Sequence, residues 1–120
     1  MSSQPTLQDA FEFAKRFAGL LIDAQYSQAR GLLEESTARQ WGLAELTHAW
    51  VKMVEDPSLA SMMPEVIDVS PVDDFPDRSP QDVAWIYVPI LTPFVNEAVS
   101  GIVVSTPAGL RLRALEFGRP

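Results

Sequence analysis

The chain has 120 residues, of which 47% are hydrophobic and 21% charged, the size and composition of a domain that buries one core and is neither disordered nor embedded in a membrane. Lys and Arg number 9 against 16 Asp and Glu, a formal net charge of −7, which opposes binding to a polyphosphate backbone and argues against nucleic acid as a partner. No cysteine is present, so disulfides, thiolate metal sites and a cysteine nucleophile are excluded and a cytoplasmic address is expected.

The opening residues Met1 to Pro5 lack the basic and apolar regions of an export signal, and no run approaches the roughly 18 apolar residues of a spanning helix. From Thr6 to Asp23, Leu7, Ala10, Phe11, Ala14, Phe17, Ala18 and Leu21 recur at helical spacing and form one stripe. Thr6 is the expected N-cap, with Asp9 near the positive end of the helix dipole and Pro5 keeping the preceding backbone extended. Phe13 and Leu20 fall off the stripe, so this helix should be covered on more than one side. A short helix capped by Ser27 is expected from Ser27 to Leu33, and a further helical turn between Ser36 and Gly42. Leu43 to Glu55 restores the period, with Leu46, Trp50 and Met53 on one face and Glu45, His48 and Lys52 on the other; Pro57 follows its end.

The pattern then changes from helical to β-branched. Val66, Ile67, Val69 and Val72 predict a first strand, and Asp73 to Pro80 an exposed loop. Val83 to Leu91 is the strongest strand, apolar on both faces, with Pro89 predicting a bulge near its end. Thr92-Pro93 is an expected turn, Phe94 to Ser105 a third strand, and Thr106 to Gly109 a turn into a fourth strand from Leu110 to Phe117. The last three strands form an antiparallel meander. The fold class is α+β: N-terminal helices packed on a curved antiparallel four-stranded sheet, with residues 1–120 as a single domain.

A long helix containing Ala14-Lys15-Arg16-Phe17, a second helix with Tyr26-x-x-Ala29-Arg30-x-Leu32-Leu33 and a third with Leu46-x-x-Ala49-Trp50, followed by a strand and a meander, resemble the NTF2-like (cystatin-like α+β cone) superfamily, in particular its small bacterial domains of unknown function. The resemblance spans nearly the whole chain but consists of core positions, so it speaks to fold rather than activity. It implies a sheet wrapped around the first helix as a cone, a cavity for a small ligand at the open end, and dimerisation through the outer face of the sheet. Enzymes of this superfamily commonly direct an Asp with a His or Tyr into the cone; no such set is matched residue by residue here, and no cofactor is implied.

Five groups of residues carry the remaining chemistry. His48, the single histidine, lies on the polar face of its helix and reads as a solvated side chain, and one histidine leaves a transition metal short of ligands. Asp68 faces opposite to Ile67 and Val69; inside the cone burial would raise its pKa and suit it to proton abstraction, and toward water it is ordinary. Trp85 and Tyr87 share one face of the strongest strand, with Asn96 on the next, and suit either a pocket for a planar ligand or a buried or dimeric interface. Asp73, Asp74 and Asp77 lack the glycine and terminal glutamate of a calcium loop and read as a solvated acidic loop. Glu97 and the arginine pair Arg111 and Arg113 are expected to form a cross-strand ion pair.

The first expectation is a non-catalytic homodimer that binds a small apolar molecule or a protein. The alternatives are an acidic immunity- or adaptor-type module whose Asp73 to Asp82 loop meets a basic protein, and an isomerase- or dehydratase-like enzyme with Asp68 as base and Tyr87 as helper.

Overall fold

The computed structural model describes residues 5–54, 65–66, 70–72, 80–91 and 96–118. The first helix, α1 (Leu7–Ile22), begins where the sequence places it. The Thr6 hydroxyl accepts from the Asp9 amide at 3.1 Å and the Asp9 carboxylate accepts from the Thr6 amide at 2.9 Å, a reciprocal pair that satisfies two amides the helix leaves open. Ala10, Ala14, Phe17, Ala18 and Leu21 are buried, while Phe13 and Leu20 pack half-buried at the margin of the same core. Two sides of α1 are therefore covered. The chain reverses at Ala24, whose φ of 61° is a left-handed conformation costly for a residue with a Cβ.

Among the described residues three further helices follow: α2 (Tyr26–Arg30), α3 (Glu35–Gln40) and α4 (Leu43–Val54). The expected helix from Ser27 to Leu33 is shorter than its pattern suggests, and Ser27 is not its cap; Gln25 stands there without a side-chain cap bond. The reason is tertiary. Leu32 and Leu33 leave the helix to run beside a strand: the Glu34 amide donates to the Leu112 carbonyl at 2.7 Å and the Leu112 amide to the Leu32 carbonyl at 2.9 Å. Glu34 then caps α3, its carboxylate accepting from the Ser36 and Thr37 amides. At the other end of α3, Arg30 donates to the Ala38 and Trp41 carbonyls, both at 2.9 Å, closing acceptors that a helix end leaves unpaired.

The sheet is antiparallel, with three long strands, β3 (Asp82–Leu91), β4 (Asn96–Thr106) and β5 (Gly109–Gly118), in the expected meander. The predicted first strand is seen as β1 (Glu65–Val66) and β2 (Ser70–Val72), both on the edge of β3 away from β4. Their registers set Val66 opposite Ile90 and Ser70 opposite Tyr87. The β3 to β4 ladder runs through Pro89 without a shift and breaks instead at Val83, between Asp82 and Ala84. A second break lies between β4 and β5, where Ala114 and Leu115 face the single residue Gly101. The β4–β5 turn is the predicted one, with Pro107 and Ala108 at its tip, the Thr106 hydroxyl donating to the Gly109 carbonyl at 2.7 Å, and Gly109 at φ 110°.

The core lies between α1 and one face of the sheet. Ala84, Ile86 and Val88 of β3, Val99 and Val103 of β4, and Leu112 and Leu115 of β5 meet the α1 stripe there, and Leu46, Trp50 and Met53 of α4 close its side. Trp41 sets its ring edge against Phe117, centroids 5.3 Å apart, and ties the end of α3 to β5. Among the described residues no helix is long and apolar enough to cross a membrane.

Two predictions follow from these local arrangements. A Cβ added at Gly19 of α1 meets nothing within 4 Å, so Gly19→Ala should raise stability by about 0.5–1 kcal/mol in thermal or denaturant unfolding through helix propensity alone. The Glu34 carboxyl is held below its ordinary 4.5, chiefly by the Ser36 hydroxyl and further by the capped amides. A depressed folded-state pKa means that the cap contributes in full above pH 4.5 and is lost as pH falls through the lower folded value. Melting temperature should therefore fall more steeply below that pH in the native protein than in Glu34→Gln.

Candidate functional site

Three places in the structure can be tested as sites: the space under α1, a cleft at the start of α1, and the sheet face on which no helix of the described residues lies, called the helix-free face below. Among the described residues the first holds a small cavity. Ala14, Phe17, Ile86, Val88 and Leu112 surround a cavity of about 10 Å³, at the lower limit for one water and far below the volume of a small-molecule pocket. Its walls are almost wholly apolar, so nothing there holds a water or orients a polar ligand.

The cleft, about 340 Å³, lies between Pro5 and Leu7 of the α1 entry, Gln81 to Val83 at the head of β3, and Ser105 at the end of β4. Its charged residue is Asp82, and that charge is already engaged. Arg113 donates through Nε to Oδ1 at 2.9 Å and through Nη2 to Oδ2 at 2.6 Å, a two-pronged pair in which the Asp82 side chain is wholly enclosed and that of Arg113 is 25% exposed. In an uninterrupted strand Asp82 would share a face with Ala84 and point under α1. The extra residue at Val83 turns it to the opposite face, level with Val104, where Arg113 stands level with Ile102.

This arrangement corrects the expected Glu97 pair. Glu97 stands level with Ile90, five residues along β4 from Ile102, the residue opposite Arg113, so about 16 Å of strand separates the two. Arg111 stands level with Val104, seven residues along β4 from Glu97, and its Nη1 donates to the Leu110 carbonyl at 2.7 Å. Sequence reasoning missed Asp82 because one inserted residue decides which face it occupies, and a bulge at a Val leaves no compositional mark. The shared face of Arg111 and Arg113 was the available signal.

Trp85 and Tyr87 lie side by side on the helix-free face, half-buried, level with Ile102 and Ser100 respectively. Trp85 packs on the buried Ile102 and Val104 in an apolar cluster separate from the main core. Asn96 stands at the far end of β4 opposite Leu91, four residues from Ser100, so the register does not place it beside Tyr87. His48 is exposed on α4. Asp68, Asp73, Asp74 and Asp77 lie outside the described residues. Among the described residues no three His, Asp or Glu side chains gather as a metal site. Comparison with models of protein families, with curated proteins and with solved structures finds no match to this chain.

The ion pair yields a test of its own. Arg113→Met removes the bidentate partner of an enclosed carboxylate and should cost about 3 kcal/mol in denaturant unfolding. Combining it with Asp82→Leu should recover most of that loss, since an enclosed pair replaced as a unit by apolar side chains leaves no isolated charge.

Proposed function

We propose that the chain is a non-catalytic, cytoplasmic binding domain of NTF2-like organisation, a single curved α+β cone that dimerises and engages protein through the outer face of its sheet. The observation that carries this reading is the character of the helix-free face. A sheet face turned to water normally alternates polar residues outward. Here Trp85, Tyr87 and Pro89 line up on β3 and Ala98, Ile102 and Val104 on β4, with Trp85 gathering the last two into an apolar cluster. Large aromatic side chains with a polar handle are the residues that dominate protein interfaces.

The small size of the cavity that the described residues enclose under α1 favours a protein partner over a small apolar ligand held inside. The engagement of Asp82 by Arg113 removes it from the acidic stretch that a basic partner would meet, and so also favours the sheet face over that loop.

Sedimentation of the purified protein should give a dimer at concentrations on the order of 10 µM. Tyr87→Glu, which places a charge in the centre of the face, should weaken the dimer by roughly 30-fold or more. Val51→Glu, on the exposed side of α4, should leave it unchanged. A native chain that sediments as a monomer throughout would rule out the dimer, and equal loss from both variants would rule out this face.

A further inference from the structure

We infer that the outer sheet face meets a second copy of the chain about a two-fold axis perpendicular to the strands, along the row Trp85, Ile102 and Arg113, so that Arg111 of each copy faces Glu116 of the other; this rests on the reading of that face as a self-association surface. Arg111 and Glu116 are both on β5 and both on the helix-free face, level with Val104 and Ser100. The bulge at Ala114 and Leu115 makes this so. Without the extra residue Glu116 would share the parity of Leu112 and point into the core; with it, Leu115 is buried and Glu116 turns outward to an exposed position.

Neither residue has an ion-pair partner among the described residues, and four residues of β4 separate their rows, about 13 Å, too far for them to meet within one chain. Facing sheets pack about 10 Å apart, within reach of an Arg and a Glu extended toward each other. A two-fold interface is self-complementary, so each residue on one copy must suit its image on the other. An axis along the Ile102 row keeps β5 over β5 and exchanges the Val104 row with the Ser100 row, bringing Arg111 over Glu116 twice. An axis along β4 would instead place β5 over β3, setting Glu116 against Tyr87 and Arg111 over Asp82, a carboxylate already enclosed and engaged by Arg113 of its own copy. Arg113 lies on the chosen axis, and the carboxylate of Asp82 neutralises it within its own copy, so the close approach of the two arginines is not a bare repulsion. The same axis stacks Trp85 near its image at the centre of the interface.

The experiment uses Arg111→Glu, Glu116→Arg and the double variant, followed by native mass spectrometry and sedimentation, with a thermal melt of each to check folding. Each single variant puts like charges face to face and should weaken its homodimer by at least about tenfold. The double variant should return to within about threefold of the native protein. An equimolar mixture of the two single variants restores both opposite-charge contacts and should form a heterodimer in preference to either homodimer. That result does not depend on how well the double variant folds. A dimer that yields to Tyr87→Glu but is indifferent to all charge exchanges would overturn this axis and leave the proposed face standing. A native monomer would overturn both.

Discussion

Ala10, Ala14 and Ala18 follow one another along α1 at four-residue steps and are almost wholly enclosed, with Phe17 and Leu21 beside them. Small side chains at those steps allow a helix to lie low on its neighbour, and the larger pair then reach into the sheet. Burying residues of the size of Phe17 and Leu21 contributes about 1.5–3 kcal/mol each. The rest of the molecule is arranged around this contact. β3 has to present Ala84, Ile86 and Val88 to it, β4 has to present Val99 and Val103, and Gly101 between them carries no side chain because β5 passes close: an added Cβ would stand 3.3 Å from the Arg113 carbonyl. The cavity that the described residues enclose under the helix is accordingly small, and the Asp82–Arg113 pair lies on the other face.

Parity then decides what that other face carries. A strand that alternates strictly would deliver Asp82 and Glu116 toward α1, where a carboxylate would lose its hydration without a partner. One inserted residue in β3 and one in β5 redirect both. The first insertion gives Asp82 the Arg113 guanidinium, and the second exposes Glu116. Ala114 bears a cost for it: its φ of 53° is the left-handed conformation usual for the first residue of such a bulge when that residue is glycine. A strained non-glycine bulge is retained where the residues it re-aims matter more than the strain.

Much of this was legible in the sequence where repetition carries the signal. α1 declares itself through a stripe of seven apolar positions and a Thr6–Asp9 cap, α4 through Leu46, Trp50 and Met53, and the meander through β-branched runs with a Thr-Pro-Ala-Gly turn. The division of residues 26–40 into two helical pieces was legible, but the early end of the first was not, because the stop after Arg30 is imposed by two hydrogen bonds to Leu112, 80 positions away from Leu32. The site was legible only as far as periodicity reaches. That Trp85 and Tyr87 share a face follows from the spacing of two; that the face is the one without helices follows from Ile86 and Val88 being the residues α1 selects. The Asp82–Arg113 pair lay beyond it, since a single unmarked insertion inverts the outcome.

Association is also constrained by the sheet's edges. An open edge strand is a template for pairing with another chain. On β5 the outward amide and carbonyl of Leu112 are both taken by the segment from Leu32 to Glu34, and the Trp41 ring sits against Phe117 further along. On the opposite side β1 and β2 occupy the edge of β3. Among the described residues both edges of the three-strand meander are partnered in this way and one face is filled by α1, so the proposed contact falls to the opposite face. Contact through a face relies on side chains rather than on backbone hydrogen bonds, so its specificity must come from the order of apolar and charged residues across the rows. The Trp85, Ile102 and Arg113 row, flanked by Arg111 on one side and Glu116 on the other, supplies an order in which opposite charges on β5 meet across the proposed contact when the strands of the two copies run in opposite directions.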